Sequence, residues 1–120
     1  MNHFHNHSND LSELIGSIPT YEEALDIADI LSVLSDPTRI RILWLLCHTE
    51  ECVTDIALAI GMSAPAISHH LKLLKQNKIL ESKKIGKETL YTLAKNKHAE
   101  LIHNMIDDMF DTVCNKKKEH

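Results

Sequence analysis

Apolar residues recur at helical spacing in several stretches of the chain, and each stretch is bounded by residues that begin or end helices. Residues 20–23 (TYEE) form a capping-box pattern, which predicts a helix that begins there and reaches Leu34. Asp36 and Pro37 suit the cap and the first turn of a second helix. This second helix is apolar on most sides, so it is predicted to lie in the core, Trp44 included.

Two short helices are predicted next, joined by a tight turn. The first runs through residues 55–60 and ends at Gly61, which fits a left-handed C-terminal cap. Ser63 caps the second, over residues 63–78. Its buried side is marked by apolar residues at helical spacing, Ile67, Leu71 and Leu74. Because the other side of this helix is polar, the pair predicts a helix-turn-helix.

The spacing then changes to a strand pattern. Residues 79–85 and 88–93 are strand-like, and Gly86 and Lys87 between them suit a two-residue turn. The tip, KKIGK, carries three lysines in five residues. A hairpin with a basic tip directly after a helix-turn-helix predicts a winged version of that fold.

The remaining segments set the domain organisation. A last helix is predicted over residues 97–113. Residues 1–19 show no helical or strand period and are expected to form a flexible, histidine-containing arm, and residues 115–120 a charged tail. Residues 20–114 then form one domain, mainly α with a small β-hairpin, a winged helix-turn-helix with the order ααααββα.

Composition narrows the function classes. The chain has 120 residues, is 43% hydrophobic and only 4% aromatic, which favours a helical core. The N-terminal stretch lacks the apolar segment of a signal peptide, and no apolar run could span a bilayer, so we expect a cytoplasmic protein with no membrane partner. Its three cysteines then indicate thiols or metal ligands rather than disulfides. No catalytic triad or phosphate-binding loop is present, so no enzyme is expected.

Charge is strongly segregated along the chain. The net charge of −4 argues against DNA binding if it is taken as a single number. However, residues 1–35 hold six acids and no lysine or arginine, whereas residues 63–97 hold eight lysines against two glutamates, a local charge of +6. A phosphate-binding face needs local positive charge, so the distribution favours DNA binding by the second short helix and the hairpin.

These two parts would contact DNA in different ways. The outer side of the second short helix can enter the major groove and carries donors for base edges. The lysine-tipped hairpin can follow the sugar–phosphate backbone, which fixes position but reads little sequence. The residues expected to contact DNA are Ser63, Ala64, Ala66, Ser68, His69, His70, Lys72, Lys75, Gln76, Lys83, Lys84 and Lys87.

Residues 21–93 resemble the ArsR/SmtB repressors. ECVTDIA matches the signature E-[LC]-C-V-x-D-[LI]-A of that family, and SAPAISHHL matches its recognition helix. The resemblance implies a homodimer through the first and last helices, a palindromic operator, and release from DNA when an inducer binds. The apolar stripe of the last helix supports the dimer. The expected interface residues are Ile102, Met105, Ile106, Met109 and Val113.

The resemblance also implies a metal site between the third helix and the arm of the other subunit. Its core in this chain would be Cys52 and Asp55, with His3, His5 and His7 of the arm as further ligands. A thiolate, imidazoles and a carboxylate suit Zn²⁺. Alternatively, Cys52 is a small buried hydrophobe and the histidines are not ligands.

A second family site, across the paired last helices, does not fit this sequence. Alignment places Lys95 and Lys97 at its first two positions and Asp108 and Asp111 at the others, which predicts ion pairs across the dimer instead of a metal.

A variant metal site on the last helix is a weaker prediction. His103 and Asp107 are four residues apart on the last helix, with Asp108 and Asp111 nearby.

The function predicted from these patterns is a DNA-binding transcriptional repressor that a divalent transition metal, such as zinc, releases from its operator. Two alternatives remain at this stage. The same fold could respond to oxidants or reactive sulfur through its cysteines. It could also be a winged-helix module that contacts protein partners and not DNA.

Overall fold

The computed structural model describes residues 8–118, with the side chains of residues 10–114. The chain divides into two compact units, residues 1–30 and residues 31–120. In the first unit, Ser8–Ile15 form helix α1. The prediction of no regular structure before residue 20 is therefore wrong for α1. Its period is short but present, because Leu11, Leu14 and Ile15 recur at i, i+3 and i+4.

Helix α2 (Tyr21–Leu34) begins at the predicted capping box. The backbone N–H of Glu23 donates to Thr20 Oγ1 at 3.1 Å, and the backbone N–H of Thr20 donates to Glu23 Oε1 at 2.8 Å. These reciprocal bonds satisfy two N–H groups that the first turn leaves without helical partners. The predicted start of α2 is thus confirmed.

Helix α3 (Pro37–His48) forms the centre of the second unit. The backbone N–H of Arg39 donates to Asp36 Oδ2 at 2.9 Å, which confirms the predicted cap and lowers the pKa of Asp36 below its usual value. Three apolar side chains of α3 are fully buried: Ile42, Leu43 and Leu46. Trp44 is 44% exposed, so its predicted place in the core is wrong. It lies on another side of the helix from those three residues.

Helices α4 (Val53–Ile60) and α5 (Ala64–Gln76) form the predicted helix-turn-helix. Gly61 has φ +83° and ends α4 in the left-handed region, as expected. Ser63 caps α5, because its Oγ accepts the N–H of Ala66 at 3.3 Å. The predicted stripe of α5 is completely buried, at Ile67, Leu71 and Leu74.

The predicted hairpin is confirmed, and a third strand pairs with it. Strands β2 (Leu80–Ile85) and β3 (Glu88–Leu93) pair antiparallel, from Leu80 opposite Leu93 to Ile85 opposite Glu88. The short strand β1 (Glu51–Cys52) joins the other side of β3, so the sheet order is β1-β3-β2. Two residues are too few for a strand pattern to show in the sequence. Gly86 turns the hairpin with φ +64°.

Helix α6 (Lys97–Lys118) is longer than predicted. Asn96 stands before it, with Oδ1 accepting the N–H of Ala99 at 2.8 Å. The predicted tail is therefore wrong as far as residue 118, where the backbone is still helical. Within residues 8–118, no helix is long and apolar enough to cross a membrane.

Candidate nucleic-acid interface and metal centre

One side of α5 is polar and open to solvent, opposite the buried stripe. The residues on this open side that were predicted to contact DNA are exposed: Ser68, His69, Lys72, Lys75 and Gln76. At the start of the helix, Ala64 is exposed and Ala66 is partly exposed. The small side chains there let the helix backbone approach a surface closely. This arrangement gives α5 the form of a major-groove reading helix.

His70 differs from the other predicted contacts of α5. It is only partly exposed, and its Nδ1 lies 3.1 Å from Arg39 Nη1. Arg39 is itself held by the carbonyl of Val33, which accepts from Nε at 2.6 Å. Burial, together with the charges of Arg39 and His69, lowers the pKa of His70 despite the opposing effect of Asp36. His70 therefore joins α5 to α3, a role that spacing alone did not indicate.

The hairpin lysines are exposed, but they are not equivalent. Lys83 Nζ forms an ion pair with Glu50 at 3.1 Å, and Lys75 of α5 donates to Ser82 Oγ at 2.7 Å. Within the described residues, Lys72, Lys84 and Lys87 make no hydrogen bond or ion pair. These three ammonium groups are thus the ones most available to phosphates.

An apolar groove of about 370 Å³ lies in the second unit, between the end of α2 and α6. Met105, Met109 and Val113 line it and are 37%, 57% and 50% exposed. The other two residues of the predicted interface, Ile102 and Ile106, are 5% and 4% exposed. Both side chains belong to the core of the second unit, although Ile106 also lines the groove, so Met105, Met109 and Val113 are the part of the stripe most accessible to a partner.

Cys52 and Asp55 lie at the start of α4, where the resemblance placed a metal site. Cys52 is buried, and the N–H of Asp55 lowers the pKa of its thiol. The carboxylates of Glu88 and Asp55, together with burial, outweigh this effect and raise the pKa above its usual value. Cys52 and Asp55 belong to no three-donor cluster among the described residues. His3, His5 and His7 lie outside the described residues.

The structure assembles a different group of possible metal ligands. His48, at the end of α3, lies against His103 and Asp107 of α6, and one donor atom of each lies within 4.8 Å of the others. His103 and Asp107 were the weaker prediction from sequence, and His48 was missed. Asp108 and Asp111 are exposed and are not part of this cluster. The sequence carried no signal for His48, since 55 residues separate it from His103.

A capped helix-turn-helix with an exposed polar reading helix, followed by a lysine-tipped hairpin, defines a winged helix-turn-helix DNA-binding regulator. Comparisons of the sequence with known proteins support this class. The profile of the family described as "Bacterial regulatory protein, arsR family" matches residues 36–82. An arsenical resistance operon repressor from Staphylococcus aureus is 32% identical over 88 residues, which cover 73% of this chain and 77% of that protein. This chain therefore belongs to the ArsR family of bacterial regulatory proteins.

Two further comparisons support the assignment. A transcriptional repressor SmtB homolog from Synechocystis sp. is 28% identical over 103 residues, or 86% of this chain and 78% of that protein. The homodimeric winged helix-turn-helix DNA-binding domain Mb0332 from Mycobacterium bovis has a TM-score of 0.60 at 27% identity, covering 85% of this chain and 89% of that one. The matches to three other curated relatives span 60% to 65% of the length of those proteins. The family and these relatives are transcriptional regulators, not enzymes, as the sequence predicted.

Proposed function

We propose that this protein is a homodimeric repressor that binds a palindromic operator and leaves it when a divalent transition metal, zinc in the first place, binds the protein. The observation that carries the proposal is the exposed polar side of α5 beside a hairpin with free lysines. This pairing supplies base-edge readers and phosphate contacts on adjacent elements. Two-fold symmetry would present two such helices to successive major grooves.

The second copy of the chain is proposed from the groove along α6. Met109 and Val113 leave an exposed apolar surface there that the described part of the second unit does not cover. A buried partner surface at this place would remove those side chains from water, which stabilises association. The homodimeric state of the similar Mb0332 domain supports a dimer of this chain.

Metal control is proposed from the ligand chemistry of the chain and from its arsenical-resistance relative. Imidazole and carboxylate donors suit zinc and neighbouring divalent ions. The thiol alternative is disfavoured for Cys47 and Cys52. Burial and the nearby charge of Asp107 raise the pKa of Cys47 to about 11, and the pKa of Cys52 is also raised. Oxidant-sensing thiols need the opposite shift, because the thiolate is the reactive form.

The test begins with selection of a bound sequence from a random duplex library, followed by fluorescence anisotropy on the selected duplex. We expect a palindromic site, binding that weakens steeply with salt, and weaker binding when Zn²⁺ is added. Absent or salt-insensitive DNA binding would favour the protein-interaction alternative instead. Binding that is unchanged by Zn²⁺, Co²⁺ and Ni²⁺ would exclude metal control.

A further inference from the structure

Three metal-binding side chains meet where the end of α3 reaches α6. His48 is the last residue of α3, and His103 and Asp107 lie one turn apart on α6. We infer that these three side chains form a Zn²⁺ site within a single subunit, with solvent completing the coordination. Such a site would not require the N-terminal arm, Cys52 or ligands from a second subunit.

The distances between the donor atoms of these three side chains suit zinc. Asp107 Oδ2 lies 3.1 Å from His103 Nε2, and Asp107 Oδ1 lies 3.7 Å from His48 Nε2. Tetrahedral zinc with bonds of about 2.0–2.1 Å holds neighbouring ligand atoms about 3.4 Å apart. These two separations, each to a different oxygen of the Asp107 carboxylate, lie on either side of that value, and one donor atom of each residue lies within 4.8 Å of the others, so side-chain rotations would bring the three donors to a common ion. Two imidazoles and one carboxylate form a recurrent zinc ligand set that leaves a position for water.

The hydrogen bond of His48 prepares this ring as a ligand. Its Nδ1 lies 2.6 Å from the carbonyl oxygen of Trp44, which can only accept, so Nδ1 carries the proton. In the neutral ring, Nε2 then directs a lone pair toward the Asp107 carboxylate. Two electron-rich groups repel each other at this distance, and a cation between them turns the repulsion into attraction. A backbone carbonyl that fixes the tautomer is a usual outer partner of a metal-binding histidine.

An ion can reach the group from solvent. The side chains of His48, Asp107 and His103 are 45%, 42% and 33% exposed. The His48 ring also packs against Trp44, with ring centroids 4.5 Å apart, which limits its rotation. The contact with Trp44 therefore restricts the His48 ring, while the exposure of the three side chains leaves room for one or more waters at the ion.

A regulatory consequence follows, and it rests on the proposed function. Helix α3 contacts α5 through Arg39 and His70. It contacts α6 through His48, which lies beside His103 and Asp107. Arg39 and His48 are nine residues apart, about 14 Å along the helix. A metal that clamps α6 to the end of α3 would also orient Met109 in the proposed dimer surface. We therefore expect zinc here to change the spacing of the two reading helices.

The binding test needs no DNA. Zn²⁺ is titrated into the full chain against a chromophoric chelator, and Co²⁺ spectra report the ligand set. We expect His48→Gln, His103→Gln and Asp107→Asn each to weaken zinc binding at least about 100-fold. Matched controls on α6 are His98→Gln and Asp111→Asn, which should bind as the wild type does, and circular dichroism checks the fold of every variant.

The outcomes are distinct. Unchanged zinc affinity in the three site variants would overturn the inference, as would a loss seen only in Cys52→Ser, which would place the ion at α4. The regulatory part is then measured on the selected duplex, where we expect zinc to weaken wild-type binding about 5- to 150-fold and to have no effect on the site variants. A zinc response that persists in those variants overturns the regulatory part. If no duplex is bound at all while the three variants still lose zinc, the proposed function fails and the metal site stands.

Discussion

Arg39 of α3 donates from Nη1 to Nδ1 of His70 on α5, at 3.1 Å. Because a guanidinium can only donate, Nδ1 of His70 is the acceptor and the ring is neutral, with its proton on Nε2. Arg39 in turn is fixed by the carbonyl of Val33 and by its own N–H to the Asp36 cap. The reading helix is thus attached to the core helix by a polar contact that depends on the protonation of one histidine.

Stability should therefore depend on His70 as the pH falls. Burial and the Arg39 charge lower its pKa in the folded protein, while the unfolded chain binds a proton near the ordinary value of about 6.5. The unfolded state then holds more protons between those two values, so stability falls as the pH drops through 6.5 toward the folded pKa. Urea unfolding from pH 8 to pH 5 should show this slope in the wild type and a flatter one in His70→Gln. Lys72→Gln, on the same helix, should keep the wild-type slope, and an NMR titration of His70 at or above 6.5 would contradict the prediction.

The free hairpin lysines should contribute phosphate contacts. Lys84→Ala combined with Lys87→Ala should weaken DNA binding and reduce the slope of log affinity against log salt by up to about 2, since each contact contributes about 0.9. Anisotropy at several salt concentrations measures this change. The matched variant Lys84→Arg with Lys87→Arg keeps both charges and should keep the slope. An equal loss in both double variants would show that charge is not what these residues supply.

The groove along α6 should hold the dimer together. Met109→Glu places a charge in an apolar surface, and its desolvation should raise the dimer dissociation constant at least about 100-fold. Sedimentation equilibrium measures this constant. The control Asn104→Glu adds the same charge at an exposed position of α6 and should leave the dimer intact. Equal dissociation in both variants would point to a general charge effect and not to this groove.

Gly61 should be needed for its backbone conformation alone. Its φ is +83°, and a Cβ there would meet no atom within 4 Å, so Gly61→Ala should cost about 1–2 kcal/mol of stability through backbone strain. Gly16 also has open space for a Cβ, but its φ lies outside the left-handed region. Gly16→Ala should therefore change the free energy of unfolding by less than about 0.5 kcal/mol. Similar losses for both variants in urea unfolding would refute the explanation.

The sequence by itself determined the helix-turn-helix and its wing. Caps at Asp36 and Ser63, the turn at Gly61 and the spacing of Ile67, Leu71 and Leu74 are local signals, and each acts within a few residues. The segregation of lysines onto residues 63–97 is likewise visible without coordinates. The reading surface could be predicted because it depends on one helix face and one hairpin. By contrast, α1 was not predicted, because its amphipathic pattern spans only eight residues.

Only the tertiary structure decided which distant residues meet. The packing of α3 on α6 buries Ile102 and Ile106, which the sequence assigned to the dimer surface, and leaves Met109 exposed. The same packing brings His48 to His103 and Asp107, and the contact of α3 with α5 brings Arg39 to His70. A helical period shows which side of a helix is apolar, but it does not show whether that side is covered by the same chain or by a second one. That distinction, and the cluster of possible metal ligands, depend on the relative placement of helices far apart in the sequence.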